Sequence, residues 1–531
     1  MKNRGVFNKN LLIYSLLVFS VLFILGVYIT GNNIFIDWIF GEQTVDENDY
    51  SDLEGSGETG GESFTGGQQN PSTAPATTVA LNILTPTPLA GWPIKIPKPN
   101  AGGATVAVYD LDSDGKKEVI AYPAVSLSGA RLTDIYVYDS GGMILPGWPQ
   151  SIKSYGGISI AVGNLASSKT NILNAILITT ENELYVFDIY GKILNGWPVG
   201  ITGKYPVSSA SATIADIDLD GVNEIIYHGS KGLMYVLGPD GKSKNPFPLS
   251  TNSLYTYTKE AVADIDLDGK KEIVSIYYVQ SGQYILDSVL NVFDTNGKSL
   301  NGWPKVLNSV DMRNFIYPLN IAPAIGNIDN DPQLEIIVPD KSNGNLYSFN
   351  YDGSKPSLNW PMIFSTNALF SQITVANIDN DPQDEIVFST PSSWLNVIKG
   401  DRTYVSGWPV KVSGGGIVTV GDIDGDGVVE VLATNGFYDS NKKVWVASLL
   451  AFHNDGTLVN GFPLYGNPST TSFNNAAPII TDLDGNGEVD IVLGGNDETI
   501  YAWTMKGAKY NPGSMEWPTA YQNSQITGSK Y

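Results

Sequence analysis

The sequence predicts an all-β fold: a β-propeller of eight four-stranded blades, with seven blades as the alternative, preceded by one N-terminal transmembrane helix. Two repeated patterns support this prediction. An acidic nonapeptide of the form D-x-D-x-D-G-x-x-E recurs between short runs of strand-forming residues. A motif of an aromatic residue followed by proline recurs between its copies, and from Trp92 to Trp517 it spans eight periods of about 53 residues. Regular repeats that contain several short strands each are typical of propellers.

The N-terminus predicts a membrane anchor. Residues 1–10 are basic, and residues 11–30 form a run without a charge that is long enough to cross a bilayer. Because no lysine or arginine follows before Lys95, the positive-inside rule places residues 1–10 in the cytoplasm and the rest of the chain outside the cell membrane. A cleaved signal peptide is the alternative. It is disfavoured because the apolar run is too long and no A-x-A-like cleavage site follows it.

A flexible linker is expected to follow the anchor. Residues 31–87 are acidic and rich in Gly, Ser and Thr, and for most of their length they contain too few apolar side chains to form a core. We expect this extracytoplasmic segment to hold the next domain away from the membrane. The remaining residues, 88–531, form the predicted propeller.

One acidic loop shows the chemistry that the repeat suggests. Asp264, Asp266, Asp268 and Glu272 place four carboxylates within nine residues, where they repel one another. Oxygen ligands on alternate residues of a tight loop suit Ca²⁺, and Gly269 allows the sharp turn. The flanking residues read as strands, and the last carboxylate comes three residues earlier than in an EF-hand. The pattern therefore predicts a calcium loop between two β-strands.

Six further copies predict about seven structural Ca²⁺ sites in all. Pro332 and Pro382 replace the glycine in two of them, for which we expect a different turn and a lower affinity. An eighth copy, near residues 164–175, has lost its carboxylates and is predicted to be a blade without metal. The further predicted ligands are Asp110, Asp112, Asp114, Glu118, Asp216, Asp218, Asp220, Glu224, Asn327, Asp329, Asp331, Glu335, Asn377, Asp379, Asp381, Glu385, Asp422, Asp424, Asp426, Glu430, Asp482, Asp484, Asn486 and Asp490.

Charge and composition restrict the function. The net charge is −23, and much of the acidity lies in the seven loops, so a nucleic-acid partner is not expected. The chain has no cysteine, which excludes disulfides and thiolate chemistry. A low content of charged residues with abundant Gly and Tyr favours an extracellular all-β protein over a cytosolic α/β enzyme.

The order of elements can be read from one repeat. An inner strand at residues 213–215 leads into the acidic loop, and strands follow at 224–227 and 233–237. The motif around Phe247 then opens the outermost strand, since proline lacks an N–H and is confined to sheet edges. We expect its aromatic ring to pack between neighbouring blades. Either the N-terminal copy of this motif, at Trp92, or the C-terminal copy, at Trp517, could complete the last blade.

These motifs resemble those of the FG-GAP/VCBS repeat family, whose propellers include the head of the integrin α-subunit. The resemblance covers roughly residues 88–531. It implies that the calcium loops join the two innermost strands of each blade, on the face away from the usual ligand site. Most members act in adhesion or recognition, although the fold also supports enzymes.

The face opposite the acidic loops is the candidate site for a glycan or protein ligand. Segments that enter each blade there carry aromatic residues, which suit stacking on sugars or contact with a peptide. Packing within the loops is the alternative role for these rings. Longer copies near residues 309–317 and 437–444 would extend the rim. The candidate residues are Tyr155, Tyr205, Tyr255, Tyr257, Phe315, Tyr317, Phe370 and Phe473.

Three functions remain open on the sequence. A membrane-anchored adhesion or recognition module agrees with the anchor, the linker and the propeller. A polysaccharide lyase or hydrolase is the enzyme alternative, but no catalytic set is evident, and His228 and His453 read as ordinary blade residues. A scaffold that docks envelope proteins is the third. The oligomeric state cannot be read from the chain.

Overall fold

The structure is a computed structural model. It describes residues 86–531 except for 98–102, 124–130, 155–157, 167–172, 181, 201–210, 230–231, 252–258, 283–284, 312–321, 341–343, 358, 365–371, 391–392, 414–415, 441–442, 468–476, 520–521, 524–526, 528 and 530–531. Its regular structure is β-strand apart from one 3₁₀ turn at Pro512–Ser514. No helix in this part of the chain is long and apolar enough to span a membrane, and the helix predicted at 11–30 lies outside it.

The strands form eight antiparallel sheets, which confirms the prediction of eight blades rather than seven. The described part of the chain starts with β1 (Pro86–Pro88) and β2 (Ile94–Lys95). Blade 1 contains β3 (Ala104–Tyr109), β4 (Glu118–Pro123), β5 (Arg131–Tyr138) and β6 (Gln150–Ser154). Blade 2 contains β7 (Ser159–Asn164), β8 (Asn174–Thr179), β9 (Glu183–Phe187) and β10 (Val199–Gly200). Blade 3 contains β11 (Thr213–Ala215), β12 (Glu224–Gly229), β13 (Leu233–Leu237) and β14 (Leu249–Ser250).

The next three blades repeat this order of four strands. Blade 4 contains β15 (Ala261–Ala263), β16 (Glu272–Gly282), β17 (Ile285–Phe293) and β18 (Lys305–Asp311). Blade 5 contains β19 (Ala324–Gly326), β20 (Glu335–Asp340), β21 (Asn345–Phe349) and β22 (Met362–Ile363). Blade 6 contains β23 (Thr374–Ala376), β24 (Glu385–Ser389), β25 (Trp394–Ile398) and β26 (Val410–Lys411).

The last two blades lead back to the start of the chain. Blade 7 contains β27 (Val418–Gly421), β28 (Glu430–Asp439), β29 (Val444–Phe452) and β30 (Leu464–Tyr465). Blade 8 contains β31 (Ile479–Thr481), β32 (Glu488–Gly494) and β33 (Thr499–Lys509), and β1 and β2 pair with β33 at its outer edge. First strands of neighbouring blades contact one another, for example β3 with β7 and β27 with β31, so they surround the centre of the ring.

The two N-terminal strands of the propeller, β1 and β2, close the ring. Pro86 pairs with Met505 and Ile94 with Ile500, so β1 and β2 supply the outer edge that blade 8 lacks. The indole Nε1 of Trp92 then donates to Ser140 O of blade 1 at 3.0 Å. Of the two alternatives left open by the sequence, closure by the N-terminal motif is confirmed.

The C-terminal copy of the aromatic motif, at Trp517, lies elsewhere in the propeller. The backbone N–H and carbonyl of Trp517 both bond to Val420 of β27, at 2.8 and 2.9 Å. Further along, Thr527 O accepts from Val262 N of β15 at 2.9 Å. The C-terminal segment therefore bonds to inner strands of blades 7 and 4 instead of forming an outer strand.

The aromatic motif joins each blade to the next, as the sequence predicted. A tryptophan Nε1 donates to a backbone carbonyl in the turn that follows the third strand of the next blade. Phe247 and Phe462 take this place in blades 3 and 7, where no such bond is possible. The donor and acceptor pairs are Trp92–Ser140, Trp148–Ile189, Trp197–Pro239, Trp303–Tyr351, Trp360–Gly400 and Trp408–Asn454, at 2.7–3.0 Å.

The hydrophobic core lies between blades. Between blades 2 and 3, for example, Leu177 and Val186 pack with Ile214, Ile225 and Tyr227, all of them buried. Strands covered on both faces need apolar side chains on both, which explains their continuous runs of Val, Ile and Leu. The polar acidic loops lie outside this core, at the ends of the strands.

Candidate metal centres in the acidic loops

The seven acidic loops all lie at the same place in their blades, between the first and second strands. In blade 4 the loop turns the chain from β15 into β16. One ligand atom from each of Asp264, Asp266 and Glu272 lies within 4.8 Å of the others. Equivalent groups of three carboxylates occur in blades 1, 3 and 5. In each of these four blades the structure thus brings together three of the acidic side chains that the nonapeptide pattern singled out.

Hydrogen bonds to the backbone shape each loop. In blade 4, Asp264 Oδ2 accepts from Gly269 N at 3.0 Å, and Asp268 Oδ1 accepts from Lys270 N at 2.8 Å. Leu267 and Gly269 both have positive φ, 60° and 88°, which curls the backbone around the carboxylates. Glycine adopts this conformation at least cost, which accounts for its place in the motif.

The ninth residue of each loop is an anchored carboxylate at or near the start of the second strand. In blade 4, Glu272 Oε2 accepts from Ile265 N at 3.0 Å, which leaves Oε1 outside this bond. The same bond recurs in all seven loops at 2.8–3.1 Å. The other pairs are Glu118–Leu111, Glu224–Ile217, Glu335–Ile328, Glu385–Ile378, Glu430–Ile423 and Asp490–Leu483.

The anchored carboxylates are held in an environment that disfavours their charge. Burial is the largest cause of the raised pKa of these side chains, and repulsion by the neighbouring aspartates raises it further. A bound cation would offset both effects. The pKa is raised to about 6 for Asp490, to about 7 for Glu118, Glu224 and Glu385, to about 8 for Glu272 and Glu335, and to about 9 for Glu430.

Several loop oxygens are buried and have no hydrogen-bond partner among the described residues. Buried polar atoms normally have one, so each such oxygen calls for an explanation. A hard divalent cation that accepts many oxygen ligands, such as Ca²⁺, would satisfy them together. The donor set of these loops therefore fits Ca²⁺. The atoms are Asp216 Oδ1, Asp264 Oδ1, Asn327 Oδ1, Asn377 Oδ1, Glu335 Oε1 and Glu385 Oε1.

Blade 3 holds a lysine inside its acidic loop. Lys244 Nζ lies 2.5 Å from Glu224 Oε1 and 2.8 Å from Asp218 Oδ2. Although burial lowers it, hydrogen bonds with Asp218 and Glu224 hold the pKa of Lys244 above its usual range. The sequence pattern did not associate Lys244 with the loop, because Lys244 lies 20 residues from Glu224. A comparison of the repeats could have identified it, because blades 2 and 4 have the apolar residues Leu194 and Leu300 at the equivalent position.

Blade 6 has a comparable lysine. Lys399 Nζ lies 2.5 Å from Asp379 Oδ2 and 2.7 Å from Asp381 Oδ2. Hydrogen bonds with these carboxylates raise the pKa of Lys399. In blades 3 and 6 an ammonium group therefore contacts the carboxylates that a metal ion would bind.

The two histidines differ in their surroundings. His228 is buried, with Nδ1 2.6 Å from Glu260 Oε1 and 3.2 Å from Ser275 Oγ. His453 lies at the acidic loop of blade 7, with Nδ1 3.2 Å from Glu430 Oε1. His453 could not be associated with the loop from the sequence, because it follows β29 rather than the nonapeptide.

Blade 2 has a polar bridge where the other blades have carboxylates. Asn164 Oδ1 accepts from Ala166 N and Leu173 N, both at 3.0 Å. Asn174 Nδ2 donates to Asp110 O of blade 1 at 2.9 Å. The described residues of this corner, 158–166 and 173–180, include no carboxylate. Amide groups thus hold this corner together at the place where the other blades have an acidic loop.

The eight aromatic residues predicted for the ligand face all lie outside the described residues. Another aromatic cluster is visible on that side. Strands β28 and β29 continue well beyond the inner strand β27 and end in a hairpin at the end of the blade away from the acidic loop. Tyr438 and Trp445 are paired across it, 51% and 53% exposed, with ring centroids 5.7 Å apart. Phe437 and Val444 are also exposed. These four residues are called the blade 7 hairpin below.

Comparison with known proteins finds similar solved structures, of which one supports the fold. No protein-family model and no curated protein matches the chain. Among solved structures, the exotype rhamnogalacturonan lyase YesX superimposes with a TM-score of 0.50 at 14% identity, over 80% of this chain and 76% of that one. The BamB protein of Moraxella catarrhalis gives a TM-score of 0.44 at 14% identity, over 80% of this chain and 100% of its own. Bacillus licheniformis rhamnogalacturonan lyase gives 0.49 at 16% identity, over 83% and 81%.

Proposed function

We propose that this protein is a calcium-stabilised recognition module, displayed outside the cell on a single N-terminal membrane helix. Its ligand would be a glycan or a protein of another surface. Ca²⁺ at about seven acidic loops would fasten the first two strands of each blade, so that metal binding contributes to the free energy of folding. The buried, unpartnered oxygens of Asp264, Glu335 and their equivalents support this role for the loops.

One observation carries the recognition part of the proposal, the blade 7 hairpin. Tyr438 and Trp445 expose about half of their side chains on a projecting edge, although rings of this size are normally buried. Tyrosine and tryptophan combine a large apolar surface with a polar group, and they dominate many binding sites. An exposed pair set edge to face offers a platform for a sugar ring.

A binding comparison tests this part. The protein and its Tyr438→Ala/Trp445→Ala variant would be probed with arrayed glycans and with intact cells, in Ca²⁺. We expect the double variant to lose at least tenfold in affinity. Leu132→Ala is the control, because Leu132 is 68% exposed in another blade. Equal binding by the double variant and the protein would contradict a role for the hairpin, and no binding to any surface ligand would contradict recognition.

The membrane part is tested by fractionation. We expect the full chain to stay with membranes after alkaline extraction and a chain that begins at residue 80 to be released. External protease should digest the propeller of intact cells. Release of the full chain by alkali, or protection from external protease, would contradict the proposed anchor or its orientation.

An enzyme that acts on polysaccharide is the second candidate. It is suggested by the rhamnogalacturonan lyase YesX, which has the same fold, but at 14% identity that likeness shows only the fold. Incubation with acidic polysaccharides, followed by ultraviolet absorbance for unsaturated products, distinguishes the candidates. Turnover would favour the enzyme. Capture of a defined envelope protein without glycan binding would favour a docking scaffold.

A further inference from the structure

The acidic loop of blade 7 differs from the others in having a nitrogen donor. One ligand atom from each of Asp424, Glu430 and His453 lies within 4.8 Å of the others. Glu430 is fully buried, and its Oε1 lies 3.2 Å from His453 Nδ1. The equivalent groups in blades 1, 3, 4 and 5 consist of carboxylates alone. The seven loops are therefore not equivalent as ligand sets.

The blade geometry explains why His453 reaches this loop. His453 directly follows the third strand of its blade, and Lys399 holds the same position in blade 6. Lys399 also contacts its acidic loop, so a long side chain at this position can reach the carboxylates. In blades 1 and 4 the equivalent residues, Asp139 and Asp294, are short and accept hydrogen bonds from their own turns instead.

The nitrogen changes which metal the site should prefer. Ca²⁺ takes oxygen ligands almost exclusively, whereas imidazole is a ligand of first-row transition metals such as Zn²⁺ and Co²⁺. Two atoms bound to one tetrahedral zinc, each at about 2.0–2.1 Å, are about 3.3 Å apart. The 3.2 Å between His453 Nδ1 and Glu430 Oε1 is close to that separation.

We propose that the blade 7 site binds a divalent transition metal of the zinc type through Asp424, Glu430 and His453, while the all-oxygen loops bind Ca²⁺. The inference rests on the proposed role of the loops as metal sites. A plain hydrogen bond between His453 and Glu430 is the competing explanation of their contact. The two explanations differ in whether zinc binds when Ca²⁺ is in excess.

Few other groups could bind zinc tightly, which makes the site easy to test. The chain has two histidines and no cysteine. The second histidine, His228, is buried and bonded to Glu260 at 2.6 Å, in a different part of blade 3 from the acidic loop. Zinc retained in the presence of excess Ca²⁺ can therefore be assigned with single substitutions.

The experiment is metal analysis of the full-length protein after dialysis against Zn²⁺ with saturating Ca²⁺. We expect one zinc per chain, and His453→Gln should lower its affinity at least tenfold, in line with the loss of a metal ligand. Lys242→Gln, a change at a side chain that is 83% exposed and paired with Asp240 in a surface turn, should leave zinc binding unchanged. Lys399→His should add a second zinc. Co²⁺ should give the visible absorption bands of a nitrogen-containing, low-coordinate site, and His453→Gln should remove them.

The outcomes separate this inference from the proposed function. Ca²⁺ binding without retained zinc, or zinc retained equally by His453→Gln, would overturn the inference and leave the calcium loops intact. Binding of neither metal would overturn both.

Discussion

At the scale of single residues, the buried carboxylate at the ninth loop position combines anchoring with charge. Glu272 accepts a hydrogen bond from Ile265 N, and one of its oxygens lies within 4.8 Å of ligand atoms of Asp264 and Asp266. Burial makes the charged form of this side chain unfavourable unless a cation is present. The loops are therefore expected to destabilise the metal-free protein whenever their carboxylates are ionised, and to stabilise the metal-bound protein.

This leads to a prediction about pH. The pKa of Glu272 and of Glu335 is about 8 in the folded, metal-free chain, above the value of about 4.3 for an unfolded glutamate. A carboxylate with a raised folded pKa contributes stability at low pH and loses it as pH rises through the folded pKa. In EDTA, the melting temperature should therefore fall between pH 5 and pH 8. The increment from Ca²⁺ should grow over the same range. A metal-free melting temperature that rises over this range would contradict the argument.

A second prediction concerns the lysine in blade 3. The ammonium of Lys244 competes with a metal for Glu224 and Asp218, so Lys244→Met should lower the melting temperature in EDTA and strengthen Ca²⁺ binding. Calorimetric titration should detect an additional or tighter site. Lys242→Met is the matched control, because that side chain is 83% exposed and pairs only with Asp240 in a surface turn. Unchanged Ca²⁺ binding in Lys244→Met would show that the lysine does not compete.

At the scale of elements, the blade is joined to its neighbour by the aromatic motif on its outer strand. The tryptophan packs against the aromatic residue that ends the third strand of the next blade, as Trp303 does on Phe349 at 5.7 Å. The preceding glycine lies against backbone. A Cβ on Gly407, which has φ 86°, would come within 1.7 Å of Asp455 O. Glycine is required there both by conformation and by space.

A substitution at Trp360 measures how much this contact between blades stabilises the protein. Trp360 is buried, and its Nε1 donates to Gly400 O at 2.9 Å. Trp360→Phe keeps a ring, as Phe247 and Phe462 do naturally, but loses that bond. We expect a loss of about 1–3 kcal/mol in the free energy of unfolding, because a buried carbonyl is left without its donor. Trp394→Phe is the control, since Trp394 is 40% exposed. Equal denaturation midpoints for both variants would contradict a stabilising role for this contact between blades.

At the scale of the whole molecule, the ring is closed by pairing its two ends. Blade 8 receives β1 and β2 from the N-terminus, while the C-terminal segment bonds to the inner strands of blades 7 and 4. Both ends of the propeller are thus held by backbone hydrogen bonds. This pairing also covers the edge of β33 that would otherwise be unpaired.

The closure of the ring predicts what happens when β1 and β2 are removed by truncation. A chain that begins at residue 80 keeps β1, β2 and Trp92, whereas a chain that begins at residue 96 loses all three. We expect the shorter chain to melt at a clearly lower temperature, because β33 and the Ser140 carbonyl lose their partners. It should also be cleaved faster by protease within blade 8. Similar melting of the two chains would contradict closure by the N-terminus.

The sequence was sufficient for features that repeat, and insufficient for those that occur once. The eight blades, the loop positions and the packing of the aromatic motif follow from local patterns of fixed spacing. Which end closes the ring could not be decided, because Trp92 and Trp517 both carry the motif. Lys244 and His453 were missed for a different reason. Each lies more than twenty residues beyond the first acid of its loop and approaches it only when the third strand returns alongside the second.

The most direct test of the central claim is thermal unfolding of the protein with Ca²⁺ titrated into metal-free samples. If the loops are metal sites that fasten the blades, the melting temperature should rise with Ca²⁺ and level off once the sites are filled. Each filled site should add about 2.7 kcal/mol when Ca²⁺ is a hundredfold above its dissociation constant. EDTA should reverse the rise. A melting curve that is the same in EDTA and in excess Ca²⁺ would contradict the claim.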